Sequence, residues 1–263
     1  MSENRMKDAK AVKEQYSNSK NLNTRISIHE KYSVNQLGFS NWLYQQYEFN
    51  DNMRILELGC GTGDLWRNRI DQLNPGTSLI LSDFSEGMVE VVRNKFSLSP
   101  RVTFEKINIE AIPYEAESFD MVIANMMLYH VPDLQKGLQE VKRVLKRGGS
   151  FYCATFGENG IQGYLTRTLG GYGIKIDING SFTLQNGADI LKNHFTEVNR
   201  KDYIDALQVT ETEDLLDYIY SMASISNLGN VTRDELYRCF EACKDEKGII
   251  HIPKEYGMFI SRK

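Results

Sequence analysis

Residues 55–66 read ILELGCGTGDLW. An apolar run carries one carboxylate, Glu57, and then meets glycine at 59, 61 and 63 with only Cys60 and Thr62 between. Glycine lets a backbone approach a ligand where any Cβ would collide. It also opens the next helix, whose N-terminal amides can face an anionic group. The stretch therefore predicts a strand, a bare turn against a ligand, and a helix over DLWRNRIDQL.

Working outward, MRILEL, TSLILSD, VTFEKI, FDMVIAN and SFYCATF are short apolar runs of strand length. SEGMVEVVRNKF is a helix with Ser85 as N-cap candidate and Glu86 in its first turn. DLQKGLQEVKRVLKRGG is a helix expected to stop at the glycine pair. Apolar strands alternating with helices mean a parallel sheet covered on both faces. The rhythm lapses between about residues 157 and 195, a Gly- and Tyr-rich insertion carrying one or two helices. It resumes with EVNRKDYIDALQVT, helices at ETEDLLDYIYSMAS and 232–245, and a last strand near GMFIS. The expected fold is α/β: a Rossmann-like, seven-stranded, mostly parallel sheet with an antiparallel edge hairpin and helices on both faces. Residues 1–52 read as an N-terminal helical cap or lid, and residues 53–263 as the main domain with its insertion.

Composition narrows the chemistry. A formal net charge of −4 calls for no polyanion, and the cluster Lys142, Arg143, Lys146 and Arg147 reads as a solvated helix face. No nucleic-acid partner is expected. The cysteines at 60, 153, 239 and 243 show neither zinc-ribbon nor redox CxxC spacing, so no metal is expected. No run of 18 apolar residues and no apolar leader occurs, which predicts a cytoplasmic protein without membrane insertion.

A glycine triplet alone is shared by nucleotide-binding folds of several chemistries. Two acids sharpen it. Glu57 precedes Gly59 by two residues, giving ExGxGxG where dehydrogenases carry GxGxxG. Asp83 ends the second strand about twenty residues after Gly63, where a ribose diol needs a bidentate acceptor.

The ensemble resembles the class I S-adenosylmethionine (SAM)-dependent methyltransferases, and within them the small-molecule branch typified by ubiquinone/menaquinone-biosynthesis enzymes. LSDFSEGMVE, INIEAIPYEAESFDMVIANMMLYHVPD and QEVKRVLKRGGSFYCATFG carry the likeness beside the glycine turn, over about residues 53–156. The resemblance implies SAM as cofactor, with S-adenosylhomocysteine as product, and a small-molecule methyl acceptor. It implies that Gly59 and Gly61 bring backbone against the methionine and ribose, and that Glu57 orders the loop and the amino end. Asp83 would accept from both ribose hydroxyls, with Phe84 and Met88 near the adenine. Asn108, where an aspartate is more usual, and Ile109 would meet the adenine edge, and Asn125 would lie beneath the methionine.

Arg25 and Tyr16 are candidates for the SAM carboxylate, with a solvent-exposed loop as the competing view. His130, in LYHVPD, is a candidate general base, with loop-bracing or pocket-lining as the alternative. His29, His194 and His251 have no partnered motif. The acceptor site is expected from the N-terminal helices and the insertion, with Tyr16, Phe39, Trp42, Tyr164 and Tyr172 as aromatic candidates. Transfer to tRNA or protein, and SAM binding without transfer, are the competing functions.

Overall fold

A computed structural model describes residues 20–172, 174, 179–222 and 231–263. Tyr16 and residues 1–19 of the expected cap or lid lie outside the described residues. Seven strands, β1 (Arg54–Leu58), β2 (Ser78–Asp83), β3 (Val102–Lys106), β4 (Phe119–Ile123), β5 (Leu145–Phe156), β6 (Glu197–Val209) and β7 (Ile250–Arg262), form one sheet in the order β3-β2-β1-β4-β5-β7-β6. The pairs among β1 to β5 are parallel, whereas β7 runs antiparallel to both β5 and β6. The expected seven-stranded, mostly parallel sheet with an antiparallel edge is the observed fold.

Alternation along each strand feeds two cores. Leu56, Val122 and Phe151 pack on one face with Leu138 and Val141 of α4 (Leu134–Val144). Ile55, Met121 and Tyr152 pack on the other with Trp66, Val92 of α3 (Glu86–Phe96) and Leu43 of α2 (Phe39–Gln46).

The helix expected over DLWRNRIDQL is replaced by two 3-10 turns, Asp64–Trp66 and Ile70–Gln72. Asn68 stands between them at φ 61°, a left-handed conformation that ends helical propagation. Helix α4 also stops earlier than the glycine pair predicts. Leu145 already pairs with Phe119 of β4, so sheet hydrogen bonding claims the chain first. The basic cluster consequently divides between helix and strand, where Arg143 pairs with Glu140, Lys146 with Asp120 and Arg147 with Glu117.

β7 is longer than expected; β6 and β7, 13 residues each, overhang the carboxyl end of β5, which stops at Phe156 opposite Tyr256. The overhang bears a third apolar cluster: Leu207 and Val209 of β6, and Ile250 and Ile252 of β7. Packed on it are Ile28 of α1 (Lys20–Tyr32), Leu165 of α5 (Ile161–Leu169), Leu216 of α7 (Thr212–Ser221) and Phe240 of α8 (Arg233–Glu241). A short α6 (Gly187–Lys192) lies against β6. Buried Lys254 and Asp205 pair at 2.6 Å, and Lys254 also donates to Ser33 Oγ, tying α1 to the overhang. Among the described residues no helix is long and apolar enough to cross a membrane.

Candidate active site

A cavity of about 460 Å³ opens beyond the carboxyl ends of β1, β2 and β4, at the point where strand order reverses. Its floor is the glycine turn. Gly59, Gly61 and Gly63 all have positive φ. At Gly59 a Cβ would stand 2.9 Å from Met127, so the turn can be neither bulkier nor differently shaped there.

Asp83, at the end of β2, fixes this turn. One carboxylate oxygen accepts the Gly61 N–H at 3.0 Å and the other the Ser85 N–H at 2.8 Å. Burial raises its pKa, and these backbone donors oppose the rise. Glu57, on β1, is 3% exposed and accepts from the Trp66 indole N–H at 2.5 Å. Burial pushes the Glu57 carboxyl up to about 7, with the Trp66 bond opposing and Asp83 reinforcing the shift.

Phe84, 41% exposed, and Asn108, Ile109 and Glu110 line the same side, as do Asn125 and His130. Asn125 donates to the Tyr47 hydroxyl at 2.7 Å, whereas its buried Oδ1 has no hydrogen-bond partner among the described residues. Met88 is fully buried in α3 and is not among the residues lining the cavity. Arg25 lines the cavity from α1. The structure thus brings Arg25, Glu57, Gly59, Gly61, Asp83, Phe84, Asn108, Ile109, Asn125 and His130 to one cavity, and leaves Met88 behind it.

The rest of the lining, the cap wall, is built jointly by α1, α2, α5, α7 and β7. His29 of α1, Phe39 of α2, Gln162 of α5, Tyr218 of α7 and Tyr256 of β7 face the cavity, while Trp42, Tyr164 and Tyr172 are not among its lining residues. Trp42 instead stacks on Phe39, with ring centres 5.8 Å apart. His29 contacts the rings of Tyr218 and Tyr256, and its Nε2 lies 3.3 Å from the Tyr256 hydroxyl. Burial first, and Lys254 second, push the His29 pKa down to about 3, so its ring is neutral at pH 7. Sequence reasoning passed over His29 because no local motif surrounds it; only the docking of α1 on β6 and β7 makes it a wall residue. Elsewhere His194 contacts Gln135, and His251 pairs with Asp245. Among the described residues no group of three His, Cys, Asp or Glu side chains is arranged to hold a metal.

The chain is 38% identical over 104 residues to the ubiquinone/menaquinone biosynthesis C-methyltransferase UbiE of Geobacter sulfurreducens, a match covering 38% of this chain and 41% of that one. The matches thus span about two fifths of the length of such relatives. Among solved structures, the YcgJ protein of Bacillus subtilis superposes with a TM-score of 0.57 at 17% identity, over 85% of this chain and 97% of that one. Haemonchus contortus phosphoethanolamine N-methyltransferase 2, solved with S-adenosyl-L-methionine, gives 0.51 at 17% identity, over 92% and 52%. These two likenesses concern the fold. The model of the methyltransferase domain family matches residues 49–230, more than half of the chain, and the protein belongs to that family.

Proposed function

We propose that the protein is a SAM-dependent methyltransferase acting on a small-molecule acceptor. The latch between Asp83 and the glycine turn carries this reading. Each Asp83 oxygen is held by one backbone N–H, leaving lone pairs for two vicinal hydroxyls of a ribose. Asn125 Oδ1, without a partner among the described residues, and the buried Glu57 carboxyl offer acceptors for an ammonium group, and Phe84 and Ile109 offer apolar faces for a purine. These residues fit the cofactor.

When bound, SAM supplies a methyl group on a cationic sulfur, which passes in line to the acceptor nucleophile as the carbon–sulfur bond breaks and S-adenosylhomocysteine remains. The protein's part is alignment and exclusion of water. The glycine turn and Asp83 fix one reactant, and the aromatic cap wall closes the other side. His130 lines the cavity as a candidate to take a proton where the acceptor loses one. The cavity size supports a small acceptor over tRNA or protein. A reduced, cytoplasmic setting agrees with four unpaired cysteines. Relatives named for quinone biosynthesis match too little of the chain to lend their acceptor. Calorimetry tests the cofactor: SAM and S-adenosylhomocysteine should bind with roughly micromolar affinity. Tighter binding of NAD would overturn the reading.

A further inference from the structure

We infer that the cap wall is the acceptor site, and that Gln162 and His29 there select an uncharged acceptor bearing one O–H or N–H donor. Ammonium compounds and donor-free analogues are rejected. The inference rests on the methyl-transfer reading, because it assigns the part of the cavity left over by the residues at the strand ends.

Three observations converge. The first is a side chamber of about 30 Å³ bounded by Phe156, Gly157, Ile161, Gln162, Tyr218 and Tyr256. Phe156, Gln162, Tyr218 and Tyr256 also line the main cavity, so the chamber adjoins it. It holds one water or one small substituent.

The second is unmet hydrogen bonding. Gln162 Oε1 and His29 Nδ1 are buried without a hydrogen-bond partner among the described residues. A buried carbonyl oxygen without a donor is costly, and a ligand donor removes that cost. The other His29 nitrogen, Nε2, faces the Tyr256 hydroxyl, and in the tautomer where Nε2 donates to that hydroxyl Nδ1 is an acceptor for the ligand's donor.

The third is charge. The lining carboxylates, Glu57, Asp64, Asp83 and Glu110, stand at the strand ends and the loops that follow them, whereas the cap wall carries Arg25 and the neutral His29. Lys254 Nζ lies 5.0 Å from the centre of the Tyr256 ring, so a cation already occupies that π-system. Among the described residues this wall offers an incoming ammonium no carboxylate.

The test uses the full chain saturated with S-adenosylhomocysteine and three probes of one shape: 2-naphthol, 2-methoxynaphthalene and protonated 2-naphthylmethylamine. Affinities are read by ligand-observed NMR. We expect 2-naphthol to bind about tenfold tighter than either competitor, the worth of one hydrogen bond. Gln162→Leu should abolish that preference while S-adenosylhomocysteine affinity stays unchanged, and His29→Phe should reduce it. Equal binding of the three probes, preference for the ammonium, a preference that survives both substitutions, or no binding of 2-naphthol at millimolar concentration would each overturn the inference. Failure of S-adenosylhomocysteine to bind the unaltered protein would instead strike the methyl-transfer reading.

Discussion

The Trp66 indole donates to Glu57 Oε2 across nine residues of chain, and both side chains are buried. The bond turns the first 3-10 turn inward beneath the cavity and stabilises the charged form of a carboxyl that burial works to neutralise. A raised folded-state pKa means that Glu57 favours folding below its unfolded value of 4.5, and that this contribution is lost as pH climbs through about 7. At pH 8 the empty protein therefore carries a destabilising charge. Glu57→Gln should raise its stability at that pH by on the order of 2 kcal/mol, measured by urea denaturation, while weakening SAM binding. A variant less stable than the parent at pH 8 would contradict the assignment.

Binding of a cation should pull the Glu57 pKa down and release a proton. SAM affinity should thus rise between pH 5.5 and 7 by up to about tenfold per pH unit and level off above. Calorimetry in buffers of different ionisation enthalpy reads the released proton directly. Affinity flat across that range, with no buffer dependence, would remove Glu57 from contact with the ligand's charge.

Asp83→Ala deletes the ribose acceptor and also frees the Gly61 and Ser85 amides. A loss of about 1.5–3 kcal/mol in SAM affinity is expected, the range for bonds to a charged group. Asp83→Asn, which keeps one acceptor oxygen, should fall between. Parent-like affinity in a folded Ala variant would exclude the residue.

Lys254→Met leaves Asp205 buried and uncompensated, which should cost about 3–5 kcal/mol of stability. Adding Asp205→Asn keeps an acceptor for the Asn35 and Ala206 amides without the charge, and should restore most of the loss. A double variant as unstable as the single would show that the pair matters through packing. Because Lys254 helps depress the His29 pKa, the single variant should also reduce the acid sensitivity that His29 imposes as pH falls from 6.5 toward about 3.

The strands at the sheet's centre were legible because each is a local apolar run ended by its own turn residues, and Glu57 and Asp83 were legible because they occupy strand ends. Asn68 marks the opposite case. DLWRNRIDQL has helical spacing, yet the inward pull of Trp66 on Glu57 and the left-handed Asn68 override it. Met88 carried a plausible position near the second strand's end, but α3 turns it into the core. Of the cap wall, the N-terminal helices, the insertion and Phe39 were legible, whereas His29, Gln162, Tyr218 and Tyr256 were not. His29 reaches the cavity only because Lys254 and Asp205, far along the chain, anchor α1, and Gln162 matters only beside Tyr218 and Tyr256.

The place of β7 between β5 and β6 has a consequence for assembly during synthesis. β6 leaves the ribosome before its neighbour exists, since β7, the strand it pairs with along its whole length, is made after α7 and α8. Until then its backbone donors and the Asp205 carboxylate have no sheet partner, and the overhang that carries α1 cannot form. The last strand is therefore the keystone: its insertion closes the sheet, neutralises the buried acid and raises the cap in one cooperative event, late and dominated by distant contacts.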